Sequence, residues 1–137
     1  MKDENKIKDI KELFGKALRE YGSYISAREK NGDILDKLHT ERIKAGGLGY
    51  LNLRDALNEI GHILKDDPKT GTFVAIIRNG SHDLNSAFAV CMLEDDHIDI
   101  CAYAKEGIIK QHLAEKAIKQ LKASLDRQKS SILKQMF

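Results

Sequence analysis

Tryptophan is absent, proline occurs once in 137 residues, and cysteine occurs twice. Each scarcity excludes something. Two cysteines cannot frame a disulfide-stapled fold, so the chain must hold together by burying apolar surface. One proline, Pro68, leaves no room for an extended proline-rich linker. No apolar run approaches the roughly 18 residues of a membrane-spanning helix. The first twelve residues, MKDENKIKDIKE, lack the apolar centre of a secretory signal, so a reducing, cytoplasmic location is expected. Neither CxxC nor HExxH occurs, and His39, His62, His82, His97 and His112 show no zinc-binding spacing. No metal, cofactor or catalytic residue is therefore expected.

Charge is plentiful, with 23 Lys or Arg against 21 Asp or Glu, but it is unevenly spread. Residues 105–137 hold eight basic and three acidic residues, a net +5, so the first 104 carry a net −3. A chain of this length is near the usual size of one domain. A single domain over 1–137 is expected, mainly helical over 1–67, with a meander over 72–104 and a C-terminal helix over 105–137.

The centre of that expectation is the stretch from Thr72 to Ala104. Three runs, TFVAIIRN, SAFAVCMLE and HIDICAYA, are rich in β-branched and aromatic residues and bounded by Gly, Asn and Asp. They read as a three-stranded antiparallel meander. The first two are apolar at consecutive positions, as in strands covered on both faces. The third alternates, with Asp99 and Tyr103 opposite Ile98, Ile100 and Ala102, which predicts an edge strand or one wet face. A two-residue turn at Asp95-Asp96 would set Glu94 against His97 and Cys91 against Ile100. Cys91 and Cys101 would then point to opposite faces and stay unbridged.

Helices are expected around this sheet. Ile7, Ile10, Leu13, Phe14, Ala17, Leu18 and Tyr21 recur at steps of three and four, up to Gly22 and Ser23. Over 23–45 two readings compete. Asn31-Gly32 could turn a hairpin, or Asp33 could cap a helix carrying Ile34, Leu35, Leu38 and Ile43; the helix over 33–45 is preferred. Gly-rich AGGLG at 45–49 lacks the spacing of a phosphate-binding loop and reads as a link between helices. Asn52 caps the next helix, whose stripe runs through Leu53, Ala56, Leu57, Ile60, Ile63 and Leu64 to a stop at Lys65-Asp66-Asp67-Pro68.

The fold class is thus α+β: N-terminal helices, the meander, and a long amphipathic C-terminal helix packed on the sheet. In element order alone it resembles profilin-like and roadblock or longin domains, which also end in strands followed by a helix. That likeness fixes no function.

Three features carry functional expectations. The stripe of the last helix continues through Leu125, Ile132 and Met136, farther than an eight-residue strand can cover, which predicts self-association, most simply as a homodimer. Its other side carries Lys119, Lys122 and Lys129, candidate contacts to a protein partner or to phosphate. The Asn79–Ser86 loop, with Ser81, His82 and Asp83, is a candidate recognition tip, because three consecutive residues cannot converge as a hydrolase triad. The acidic turn of Asp95, Asp96, His97 and Asp99 lacks the glycine and terminal glutamate of a calcium loop and reads as a solvated turn. Together these favour a non-enzymatic interaction module (an adaptor, inhibitor or regulator) that self-associates and binds a protein. A nucleic-acid-binding accessory protein is the alternative, and a small-molecule binder or enzyme a weaker one.

Overall fold

In a computed structural model, the structure describes residues 2–21, 38–78, 86–104 and 112–136. Their elements run α1 (Lys2–Tyr21), β1 (His39–Lys44), α2 (Tyr50–Ile60), β2 (Gly61–Asp67), β3 (Thr72–Ile77), β4 (Ala87–Glu94), β5 (His97–Tyr103) and α3 (Leu113–Met136). The strands form one antiparallel sheet in the order β1-β5-β4-β3-β2.

The expected meander is the middle of this sheet. Asp95-Asp96 makes the turn, Glu94 pairs with His97, and Cys91 pairs with Ile100. Side chains alternate across a strand. Phe73, Ala75, Ala89, Cys91, Ile98, Ile100 and Ala102 therefore face one side, and Val74, Phe88, Val90, Cys101 and Tyr103 the other. Helix α1 covers the second side with Ile10, Phe14, Ala17 and Leu18, and the Phe14 ring meets Phe88 edge-on at 5.4 Å. Helices α2 and α3 cover the first side through Leu53, Ala56, Leu57, Ala117, Ile118, Leu121 and Leu125. Fully burying each large side chain contributes about 1.5–3 kcal/mol, so both faces are substantial cores.

Two free cysteines lie in these two separate cores. Burial pushes both thiols up to about 12, helped at Cys91 by Cys101 and opposed at Cys101 by Lys11. Thiolate, the reactive form, is accordingly scarce at neutral pH. Native protein should react with a thiol reagent at pH 8 far more slowly than unfolded protein, which should release two equivalents without reductant. Rapid labelling of the native chain, or a bridge between residues 91 and 101 in its mass spectrum, would contradict the fold.

Several expectations are corrected. The described residues form a sheet of five strands rather than three. Residues 39–44, expected as helix, form β1, which pairs with β5; residues 22–37, with Asn31-Gly32, lie outside the described residues. The third meander strand is therefore no edge, and Asp99 is 2% exposed. It faces Arg42 directly across the β1–β5 pair. Arg42 grips it through both guanidinium arms, Nε to Oδ1 at 2.7 Å and a terminal nitrogen to Oδ2 at 3.2 Å.

The second helix begins at Tyr50 rather than after Asn52. The Asn52 side chain instead accepts from the Gly49 backbone N–H at 3.0 Å. It also ends early, because the chain passes from Ile60 straight into β2 at Gly61. Ile63 and Leu64, assigned to the helix by their spacing, are strand residues. Alternation along the strand sends Ile63 to the α2–α3 side and Leu64 to the α1 side, and a bulge shifts the register between Ile63 and Lys65. Among the described residues no helix is long and apolar enough to cross a membrane.

Candidate functional site

Helix α3 spans 24 residues, or about 36 Å at 1.5 Å per residue. The strands beneath it hold six to eight residues and reach only about 20–27 Å. Contacts along α3 show which part overhangs. Gln120 Nε2 donates to the Arg78 carbonyl at 2.9 Å, and the Arg78 N–H donates to Ile60 O, so this turn lies at the end of α2. Ser124 Oγ donates to the Ala56 carbonyl at 3.1 Å; this small buried residue lets the two helices approach. Lys129 lies over Gly46, before the start of α2, where a Cβ would meet its ammonium and Cε at 2.8 Å. The two helices are therefore antiparallel, and the last turns of α3 run past the start of α2.

Gly46 and Gly47 both have positive φ, 63° and 86°, a conformation that suits glycine. AGGLG, expected to link two helices, instead swings the chain from strand β1 to helix α2. It also brings the acidic β4–β5 turn alongside. Ala45 N–H donates to the Asp96 carbonyl at 2.8 Å and Gly47 N–H to Asp96 Oδ1 at 3.4 Å. Asp95, at the tip, is exposed with φ 53°, which aspartate tolerates better than most residues. Nearby, Tyr50 stacks on Phe73 at 4.7 Å and donates to Asp66. Desolvation and that carboxylate push its hydroxyl up to about 12, so it remains a donor at any ordinary pH.

At this end of the molecule apolar groups reach solvent. Leu51, Ile132 and Leu133 are 59%, 37% and 55% exposed, and they are the exposed large hydrophobics of the described residues. Beside them a half-open groove of about 190 Å³ separates β1 from α3, with Ile43 and Leu125 as its floor and Lys44, Lys122, Asp126 and Lys129 around it. Lys122 is engaged by Glu41, and across the helix Arg127 Nε donates to Glu59 Oε1 at 2.7 Å.

The residues singled out from the sequence are thus separated by the fold. Leu125 is 3% exposed and belongs to the chain's own core. Ile132 lies beyond the core on the same stripe, and Met136 closes α3. Lys122 and Lys129 converge on the groove, whereas Lys119 is exposed and lies outside its lining. Ser81, His82 and Asp83 lie outside the described residues. Sequence reasoning missed Leu133, Lys44 and Leu51. Leu133 was visible as an aliphatic residue 100° off the stripe, facing where solvent was expected.

No three residues of the metal-ligating types gather where they could hold an ion among the described residues. No buried side-chain nitrogen or oxygen among them lacks a hydrogen-bond partner. What this end offers chemically is apolar contact together with ammonium and carboxylate groups. Compared with protein-family models, curated proteins and solved structures, the chain matches none.

Proposed function

We propose that this chain is a small non-enzymatic interaction module, an adaptor, inhibitor or regulator, that self-associates and binds a protein partner through the end where α3 leaves the sheet. The observation that carries the reading is the exposure of Ile132 and Leu133 at 37% and 55%, in turns of α3 that pass the start of α2. Full burial of such a side chain contributes about 1.5–3 kcal/mol, and these two leave part of that unrealised. A lysine-lined phosphate track is the poorer reading, because Lys122 and Arg127 already answer to Glu41 and Glu59, and Asp126 lines the groove among the lysines. Phosphate binding there would work against those carboxylates, and it would weaken steeply with salt.

The parent protein is expected to be dimeric at about 100 μM, where an interface of micromolar affinity is nearly saturated. Replacing Ile132 and Leu133 together by Gln should give a folded monomer. Gln keeps helix propensity and adds no charge to a helix end that disfavours carboxylates. Sedimentation velocity reads the mass, and circular dichroism should show helix content unchanged. Leu125→Gln, in contrast, should lower stability without a specific effect on mass, since that side chain is core. A parent that stays monomeric at about 100 μM overturns the reading.

A further inference from the structure

The overhanging end carries opposite charges side by side, and that arrangement selects an occupant. On the acidic side are Asp95 and Asp96, in the β4–β5 turn held against the end of β1 by Ala45 and Gly47. On the basic side are Lys44, the last residue of β1, and Lys129, whose ammonium lies over Gly46. Neither lysine forms an ion pair with a described residue, unlike Lys122, which Glu41 engages. Asp95 likewise has no ion-pair partner among the described residues. Apolar Ile132 and Leu133 belong to the same end.

We propose that the partner at this end is a second copy of the chain, docked about a two-fold axis, with the Asp95–Asp96 turn of each copy against the Lys44–Lys129 side of the other's groove. This rests on the self-association reading and specifies its geometry. In a two-fold interface the same patch serves both copies, so a contact between acid and base is made twice. A patch that is acidic on one side and basic on the other complements itself under such a rotation. A uniformly basic patch would repel its copy, and a head-to-tail contact would leave one set of charges unanswered and the assembly open-ended. The aliphatic pair supplies the desolvated centre, and the charges form the rim that sets orientation and encounter rate.

A charge-swap experiment on the full chain separates this geometry from self-association of any other kind. One variant carries Lys44→Glu and Lys129→Glu. The other carries Asp95→Asn and Asp96→Lys, with asparagine chosen because it tolerates the positive φ at residue 95. Alone, each should dimerise at least about tenfold more weakly than the parent, since two sets of rim contacts are lost or reversed at once. Mixed in equal amounts, they should form a heterodimer close to parental affinity. In it the reversed groove of one copy meets the reversed turn of the other, while the second contact keeps parental charges. Sedimentation equilibrium with one variant fluorescently labelled reads all three affinities.

If each variant alone associates as tightly as the parent, or if the mixture fails to recover, the two-fold charge geometry is wrong. Self-association through Ile132 and Leu133 would then stand on the Gln variant alone. If either charge variant does not fold, the parent decides: its dimer should weaken at least about tenfold between roughly 50 and 500 mM salt. A salt-independent dimer overturns the proposal, and a monomeric parent overturns both readings.

Discussion

Arg42→Met should lower the stability of the chain by about 3 kcal/mol or more, although Arg42 sits on an edge strand. The reason lies in its partner. Asp99 is 2% exposed, its two oxygens answer to the two arms of the guanidinium, and the pair lies directly across β1 and β5. Removing one member of a buried pair leaves an uncompensated charge, which costs about 3–5 kcal/mol. The Arg42 side chain is 26% exposed, so water can reach the vacated site and the lower end of that range applies. Restoring neutrality should recover most of the loss. Arg42→Met with Asp99→Leu places two apolar groups beside Met92, which pairs with residue 99 on β4. Urea unfolding of the two single variants and the double completes the cycle. A loss below about 1 kcal/mol for Arg42→Met would mean that Asp99 is solvated in the folded chain, contrary to its burial.

A second large effect is expected from one methyl group. In Gly61→Ala the new Cβ would lie 2.0 Å from the Ile76 carbonyl oxygen, 2.9 Å from its carbon and 3.0 Å from the Ile77 Cα. All three are backbone atoms, so no rotamer change relieves the overlap, and the first pair of the β2–β3 ladder, Gly61 with Ile77, must open. Overpacking typically costs about 1–3 kcal/mol and occasionally more, and here the displaced group is a strand already fixed on its other side by β4. A loss of about 3 kcal/mol or more in thermal or urea unfolding is expected. Gly49→Ala is the control, since nothing lies within 4 Å of its added Cβ. It should cost no more than about 1 kcal/mol, the difference between Gly and Ala at a helix N-cap. Equal effects at the two positions would contradict the close approach of β2 to β3 at the Gly61–Ile77 pair.

Gly61 also explains where reading the sequence succeeds and fails. Ile60, Ile63 and Leu64 keep helical spacing across the junction, and the glycine between them is the only local sign that a helix has given way to a strand. Ile63 and Leu64, which would share one helical stripe, instead pack on opposite faces of the sheet, as alternation along a strand requires. β1 is hidden for another reason. In HTERIK the lone aliphatic is Ile43, and the residue that secures the strand is Arg42, whose value depends on an aspartate far away in sequence. Hydropathy periodicity cannot register a charge pair between distant residues. The meander was legible because its information is local: β-branched runs, a two-residue acidic turn and the register that follows. The exposed end of α3 was half legible. An overlong stripe pointed to Ile132, but the depth at which Leu125 sits depends on where α2 and the sheet stop.

The order of the strands has a kinetic meaning as well. β4 and β5 are joined by two residues, whereas β1 reaches β5 only after about fifty intervening residues. Closing the longer loop costs about 3 kcal/mol more in chain entropy, since each doubling adds about 0.6 kcal/mol. Nearest-neighbour hairpins therefore form at lower cost than the edge pairing, which gains its reward only once β5 is in place. Lys44, Gly46 and the groove all depend on that late pairing. A nascent or partly unfolded chain thus presents the acidic turn without Lys44 and Gly46 beside it, and the self-association proposed for this end would be open only to molecules in which β1 has paired.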